Sequence, residues 1–276
     1  MKLRTLRTLA AREIRASVRG RWFIIGALAF AVLAAAVAHL GMAGAGRWGV
    51  STIDRTSAAL LNLVLLFVPL LAMPLGVASF AGEAEDGVLA YLVAQPVTRG
   101  EVFLGKVIGL VAATTLSLGI GFGVAAVLIG AKGGVSAGTF GMLGLGAWLL
   151  GTVTVVLGAL LATLTGSRAR ALAAVIGAWI TLVFLCDFGV LALAAAQTVG
   201  PGTLFGLAVA NPLQAVKTLV ALFASARLEI LGPIGVHAVR ELGRTGLAAV
   251  LIGSILAWIF LVVGAGFWRF RRENLM

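Results

Sequence analysis

Six long apolar runs dominate the chain, at residues 22–40, 58–80, 107–129, 142–164, 171–196 and 247–267, and most of the charges gather in the stretches between them. Each run is near or above the ~20 residues that an α-helix needs to cross about 30 Å of hydrocarbon. A helix satisfies its own backbone hydrogen bonds, which lipid demands of any segment it surrounds. A β-barrel would show strands alternating polar and apolar over ~10 residues, and these runs do not alternate. Ahead of them, residues 2–19 follow a helical period: Leu3, Leu6, Ala10 and Ile14 share one side, and Arg4, Arg12, Arg15 and Arg19 the other. That is the pattern of a helix lying in a membrane interface. A secretory signal is the alternative, since Ala43-Gly44-Ala45 resembles a cleavage site. It fits poorly, because the basic stretch is long and the apolar run after it exceeds the usual ~7–15 residues. The predicted fold is all-α: one polytopic transmembrane domain over 1–276, with six transmembrane helices preceded by an N-terminal amphipathic interfacial helix.

Composition agrees with the pattern. Of 276 residues, 61% are hydrophobic and 11% charged, far below the ~25% charged residues that a soluble surface carries. The net charge of +11 would suggest nucleic acid on a soluble protein. Here the charges flank apolar runs, so the lipid bilayer is the expected partner and nucleic acid is not. With both termini inside, the inner segments hold 14 Lys and Arg and the outer segments 7, which favours cytoplasmic termini. The single cysteine, Cys186, lies within an apolar run, and His39 and His237 are far apart in sequence. No metal site is expected from such a set. No internal repeat is evident, which counts against an inverted-repeat transporter.

Two connections are too long for simple turns. The inner one, 81–106, places Glu83, Glu85 and Asp86 at the end of the second run, with Gly87 after them. A short apolar helix with Leu89 and Leu92 follows, Pro96 stops it, and Thr98-Arg99 stands at the turn into the next helix. A short helix held between two spans suits a lever pressed by a soluble partner; a solvated loop is the plainer alternative. The outer connection, 197–246, reads as short helices at the outer membrane surface. Asn211-Pro212 opens one, and Leu213, Val216, Val220 and Phe223 recur along it at helical spacing. Lys217, Arg227, Glu229, His237 and Arg240 are left as a polar rim where an extracytoplasmic partner would dock. A plug for the outer mouth is the competing use of the same segment.

Within the runs, Asp187 is the acid to explain, since intramembrane acids are costly and often functional. It lies 17 residues past Arg170, about 25 Å along a helix, in the outer part of the bilayer. A gate or pathway role and a structural role are both open for it, and Asn62 is a weaker pathway candidate. Gly105 and Gly109 mark close helix packing. Residues 100–106 imitate the start of a phosphate-binding loop, but Val107 stands where Ser or Thr should reach Mg²⁺. ATP-driven work would therefore need a separate subunit.

The inner stretch resembles the segment after the second span of ABC-2-type transporter permeases. The matching residues are Glu83, Glu85, Asp86 and Gly87, then Pro96, Thr98 and Arg99; Val88 departs, since many members carry Thr there. The interfacial helix and the six-span layout also fit. A nearer likeness is to the NosY-type permease subunit of the nitrous oxide reductase maturation transporter. It rests on 82–87, Arg99-Gly100, 104–106, Asp187, Asn211-Pro212 and 267–272. The resemblance implies a homodimer in the bacterial cytoplasmic (inner) membrane, with two cytoplasmic ABC ATPase subunits that carry ATP and Mg. It further implies a periplasmic partner protein and a role in assembling a copper–sulfur centre, through movement of a sulfur-containing species. Export of another substrate (drug, lipid or peptide) is compatible with the family. A membrane-embedded enzyme or scaffold is the rival reading, but it lacks the facing acids, histidines or nucleophile that such chemistry requires.

Overall fold

The computed structural model describes residues 3–43, 52–130, 137–197, 199–224 and 232–272, and every regular element among them is helical. Helix α1 (Leu3–Arg19) meets α2 (Arg21–Ala43) at a bend of 67°. Helix α3 (Thr52–Val77) contains Pro69 and Pro74. It widens into a π turn at Ala78–Gly82 and continues as α4 (Glu83–Glu85). Gly87 then takes the left-handed conformation, φ 72°, that a residue with a Cβ rarely adopts, and α5 (Val88–Val93) follows. Helices α6 (Arg99–Gly130) and α7 (Ala137–Thr165) form the next antiparallel pair. A turn at Gly166, φ 66°, leads into α8 (Arg168–Ile180), which passes through a π turn at Thr181–Leu185 into α9 (Cys186–Ala195). The chain closes with α10 (Pro201–Ala210), α11 (Pro212–Ala224) and α12 (Gly232–Arg272). The last is broken at Gly243, φ 69°.

Among the described residues five helical segments are long and apolar enough to cross a membrane, or up to seven if each bent pair is one span. Five of the six expected spans lie within these helices, which are longer than the apolar runs; the first, 22–40, lies in α2, which qualifies only together with α1 across the 67° bend. The third apolar run, 107–129, sits in a helix that begins at Arg99, at the expected turn, where Thr98 and Glu101 form a complete capping box. The Glu101 amide donates to Thr98 Oγ1 at 3.2 Å, and the Thr98 amide donates to Glu101 Oε2 at 3.0 Å. Gly232-Pro233 opens α12, since proline fits the first turn of a helix.

Helix α7 is the centre of the bundle. Some 67% of its central window is buried, against 6% for the α8–α9 span. Its closest neighbour is α3, at a contact only glycine permits. A Cβ on Gly158 would lie 2.1 Å from the Met73 carbonyl oxygen, and one on Gly76 would lie 2.4 Å from that of Val155.

The 197–246 connection differs from a surface platform. Helices α10 and α11 are bent by 106° at Asn211, which is buried. Leu213, Val216 and Val220 are buried too, and Val216 and Val220 pack on Gly146 of α7 rather than on lipid. Phe223 alone of that row is exposed. The amphipathic pattern was right, but the apolar face covers protein. Arg227 and Glu229 lie outside the described residues.

Candidate functional site

Two clusters stand at opposite ends of the bundle. The basic end joins α1, the 83–98 stretch, the α7–α8 turn and the end of α12. Its centre is Lys106, buried, whose Nζ donates to Glu13 Oε2 at 2.7 Å and to Glu83 Oε2 at 2.8 Å. Glu83 also accepts both Arg12 guanidinium nitrogens, at 3.1 and 3.3 Å. Two cations and two anions thus balance, and each buried charge has an opposite partner, as burial requires. Gly105 and Gly109 admit α1 to α6 here, since a Cβ on either would meet Leu9 or Glu13 at 2.6 and 2.4 Å. The aromatic cluster Phe80, Phe103, Phe267 and Phe270, with centroids 5.4–6.1 Å apart, seals the end of α12 beside it.

The sequence-derived lever residues divide into three roles in this geometry. Glu83 is locked in the ion cluster. Glu85 Oε1 accepts the Arg168 amide at 2.8 Å, and so caps α8. Thr98 caps α6. Leu89 and Leu92 face inward and are buried, anchoring α5, whereas Asp86, Gly87, Tyr91 and Pro96 are exposed and Arg99 is half-buried. Tyr91, the one tyrosine of the chain, is 68% exposed on the outer side of α5. Residues 100–106, which imitate a phosphate loop, are helix, and Lys106 is held by two carboxylates.

Sequence reasoning missed Glu13, Lys106 and Tyr91. Glu13 was visible as the one acid among residues 1–53, three positions past Ala10 on the apolar side. An acid on the apolar face of a basic helix asks for a buried cation. Arg12 falls on the polar side of α1 in the sequence pattern, and there it pairs with Glu83 rather than standing free at the interface.

At the far end, a cavity of about 1300 Å³ opens between α3, α8–α9, α10, α11 and the start of α12. Asn62, Asp187, Lys217 and His237 all line it, so the pathway candidates and part of the docking rim meet in one place. Arg240 is exposed and is not among its lining residues. Asp187 accepts a hydrogen bond from Gln214 of α11, which partly offsets the cost of an acid at this depth. Apolar walls come from Leu65, Phe184, Phe188, Leu204 and Phe205.

The break at the cavity floor leaves few loose polar groups. Asn211 Nδ2 donates to the Leu182 carbonyl, 2.7 Å away inside the α8–α9 π turn, while Asn211 Oδ1 accepts the Leu213 amide. The last carbonyls of α10 accept from α12, Val209 from Ser254 Oγ and Ala210 from Trp258 Nε1, at 2.7 and 2.8 Å. Leu182 lies 14 residues past Arg168, about 21 Å along the helix. An irregular backbone at that depth persists only where protein supplies its hydrogen bonds. Among the described residues no group of three His, Cys, Asp or Glu gathers as metal ligands.

Comparison with known proteins agrees with this layout. The family model described as ABC-2 family transporter protein matches residues 7–275. The chain is 34% identical over 190 residues to the probable ABC transporter permease protein NosY of Stutzerimonas stutzeri, covering 67% of this chain and 69% of that protein. It is 33% identical over 191 residues to the protein of the same description from Pseudomonas aeruginosa, covering 67% and 70%. Matched along nearly its whole length, and built as a bundle of apolar spans, the chain belongs to the ABC-2 family of transporter permeases.

Proposed function

We propose that this chain is the membrane subunit of an ABC transporter, working as a homodimer with two ATPase subunits that bind ATP and Mg on its behalf. The basic end faces the cytoplasm of the bacterial inner membrane, as the 14 to 7 distribution of Lys and Arg favours. The observation that carries the reading is the build of α5. Its inner face is anchored by Leu89 and Leu92, its outer face presents Tyr91, Glu83 and Glu85 just before it grip α1, α6 and α8, and its other end leads into α6. A short helix fixed to several spans yet open on one side is suited to receive a push from a soluble partner. Closure of the ATPase pair on ATP presses α5, and the spans attached to it tilt.

The far-end cavity is where that motion acts. Asn62, Asp187, Lys217 and His237 give it polar groups of both signs on apolar walls, fit for passing a small polar solute or a conformational signal outward. The likeness to the NosY type supports a sulfur-containing species destined for the copper centre of nitrous oxide reductase. It also supports a periplasmic partner seated over this mouth, where Lys217 and His237 line the cavity. The unpacked α8–α9 face supports a second copy alongside.

The test is co-purification of the tagged chain with the ABC ATPase subunits of its host. Aromatic anchors dominate interface energetics, at ~2 kcal/mol or more, so Tyr91→Asp lowers ATPase recovery more than tenfold while membrane insertion stays normal. Recovery equal to wild type removes α5 as the docking site.

A further inference from the structure

We propose that Glu85 is the positioning residue that ties α5 to the α8–α9 wall of the far-end cavity, by holding the first turn of α8. The inference rests on the permease reading above and specifies how motion crosses the bundle.

The first turn of a helix has amides without intrahelical partners, and an N-cap serine ordinarily accepts one of them. Ser167 occupies that position with extended backbone, φ −147°, ψ 146°, and makes no capping bond. Its Oγ accepts from Arg170 Nε at 2.8 Å instead. The cap is supplied by Glu85, 83 residues earlier in the chain, whose carboxylate takes the Arg168 amide at 2.8 Å. A negative charge at a helix N-terminus is favoured by the helix dipole as well as by the bond. Glu85 stands three residues before α5, with Gly87 as the joint between them. Movement of α5 therefore carries Glu85 directly.

Its neighbour Glu83 is engaged elsewhere, with Arg12 and Lys106. The two carboxylates of one short turn thus serve different helices: Glu83 grips α1 and α6, and Glu85 grips α8. Of the spans, α8–α9 is the least covered by the rest of its own chain, 6% buried against 67% for α7, so few contacts within the chain oppose its movement. Asn211 holds the same rod at Leu182, about 21 Å from its start. A pull at Arg168 therefore pivots α8–α9 about that point and displaces Asp187 and Leu191 in the cavity wall.

The experiment uses the permease–ATPase complex in nanodiscs, with Cys186→Ser and a reporter thiol from Leu191→Cys. Maleimide labelling is timed with and without ATP plus vanadate, and hydrogen exchange of the first α8 amides is followed in parallel. In the parent chain, nucleotide changes the labelling rate. Glu85→Ala speeds exchange at the start of α8 about fivefold, the size of a lost cap. It also abolishes the nucleotide effect on labelling, with the ATPase still bound. Glu85→Gln, which keeps the acceptor oxygen, retains most of both. A Glu85→Ala chain with a normal nucleotide response overturns the proposal, whatever its exchange. If the parent chain itself gives no nucleotide response, the ATP-driven reading fails. The nucleotide-free measurements then decide alone: faster exchange with shifted Leu191→Cys labelling supports the tie, and unchanged values overturn it.

Discussion

Replacing Lys106 by methionine keeps the length and apolar body of the side chain and removes only its charge. The ion cluster then changes from neutral to one net negative charge. Glu83 keeps both bonds to Arg12, at 3.1 and 3.3 Å. Glu13, 2% exposed, is left with the Arg12 guanidinium at 4.0 Å as its nearest cation. Removing one partner of a buried pair costs ~3–5 kcal/mol, chiefly because the other charge stays buried without compensation. At ~2–4 °C per kcal/mol that lowers the unfolding midpoint by roughly 6–20 °C. The double change Glu13→Gln with Lys106→Met restores neutrality and leaves the Arg12–Glu83 pair intact, so it recovers most of the loss. Thermal scans of both variants and of Glu13→Gln, in the same detergent at the same concentration, complete the cycle. A Lys106→Met midpoint equal to wild type, or a double variant no better than Lys106→Met, refutes the claim that the cluster's charge balance holds α1 on α6.

Three further outcomes follow from the packing. Gly158→Ala pushes a methyl against the Met73 backbone and lowers stability by ~1–3 kcal/mol. Gly177→Ala meets nothing within 4 Å and stays near wild type in the same scan. Asn211→Ala leaves the Leu182 carbonyl and the Leu213 amide without their side-chain partner, a loss of ~1–3 kcal/mol. Hydrogen exchange localises that loss to 181–185 and 211–214, and uniform exchange across the bundle counts against it.

The spans were legible because lipid imposes uninterrupted apolarity, a signal that needs no knowledge of neighbours. The start of α6 was equally local, since Thr98-Arg99 reads as the turn into it and Thr98 and Glu101 cap it there. What lay hidden was tertiary. The row Leu213, Val216, Val220 suits a membrane surface and a protein groove alike, and only the packing of Val216 and Val220 on Gly146 of α7 decides between them. The lever stretch was found as a motif, yet its residues sort by direction, which no pattern of types reports. Leu89 and Leu92 turn inward, Tyr91 outward, and Glu83 and Glu85 to different helices. Asp187 and His237 were flagged for separate reasons, 50 positions apart, and share one cavity because α10 folds back between them.

The 93-residue separation of Glu13 and Lys106 also sets an order of events at the ribosome. At ~5–20 residues per second, α1 emerges about 5–20 s before the cation that its carboxylate needs. Through that interval Glu13 has no buried partner, so α1 waits in the headgroup region with its acid hydrated. The N-terminal helix of the mature bundle is consequently one of the later pieces to be seated. A nascent chain stalled before Lys106 has emerged leaves α1 open to aqueous protease, and a chain released past α6 protects it.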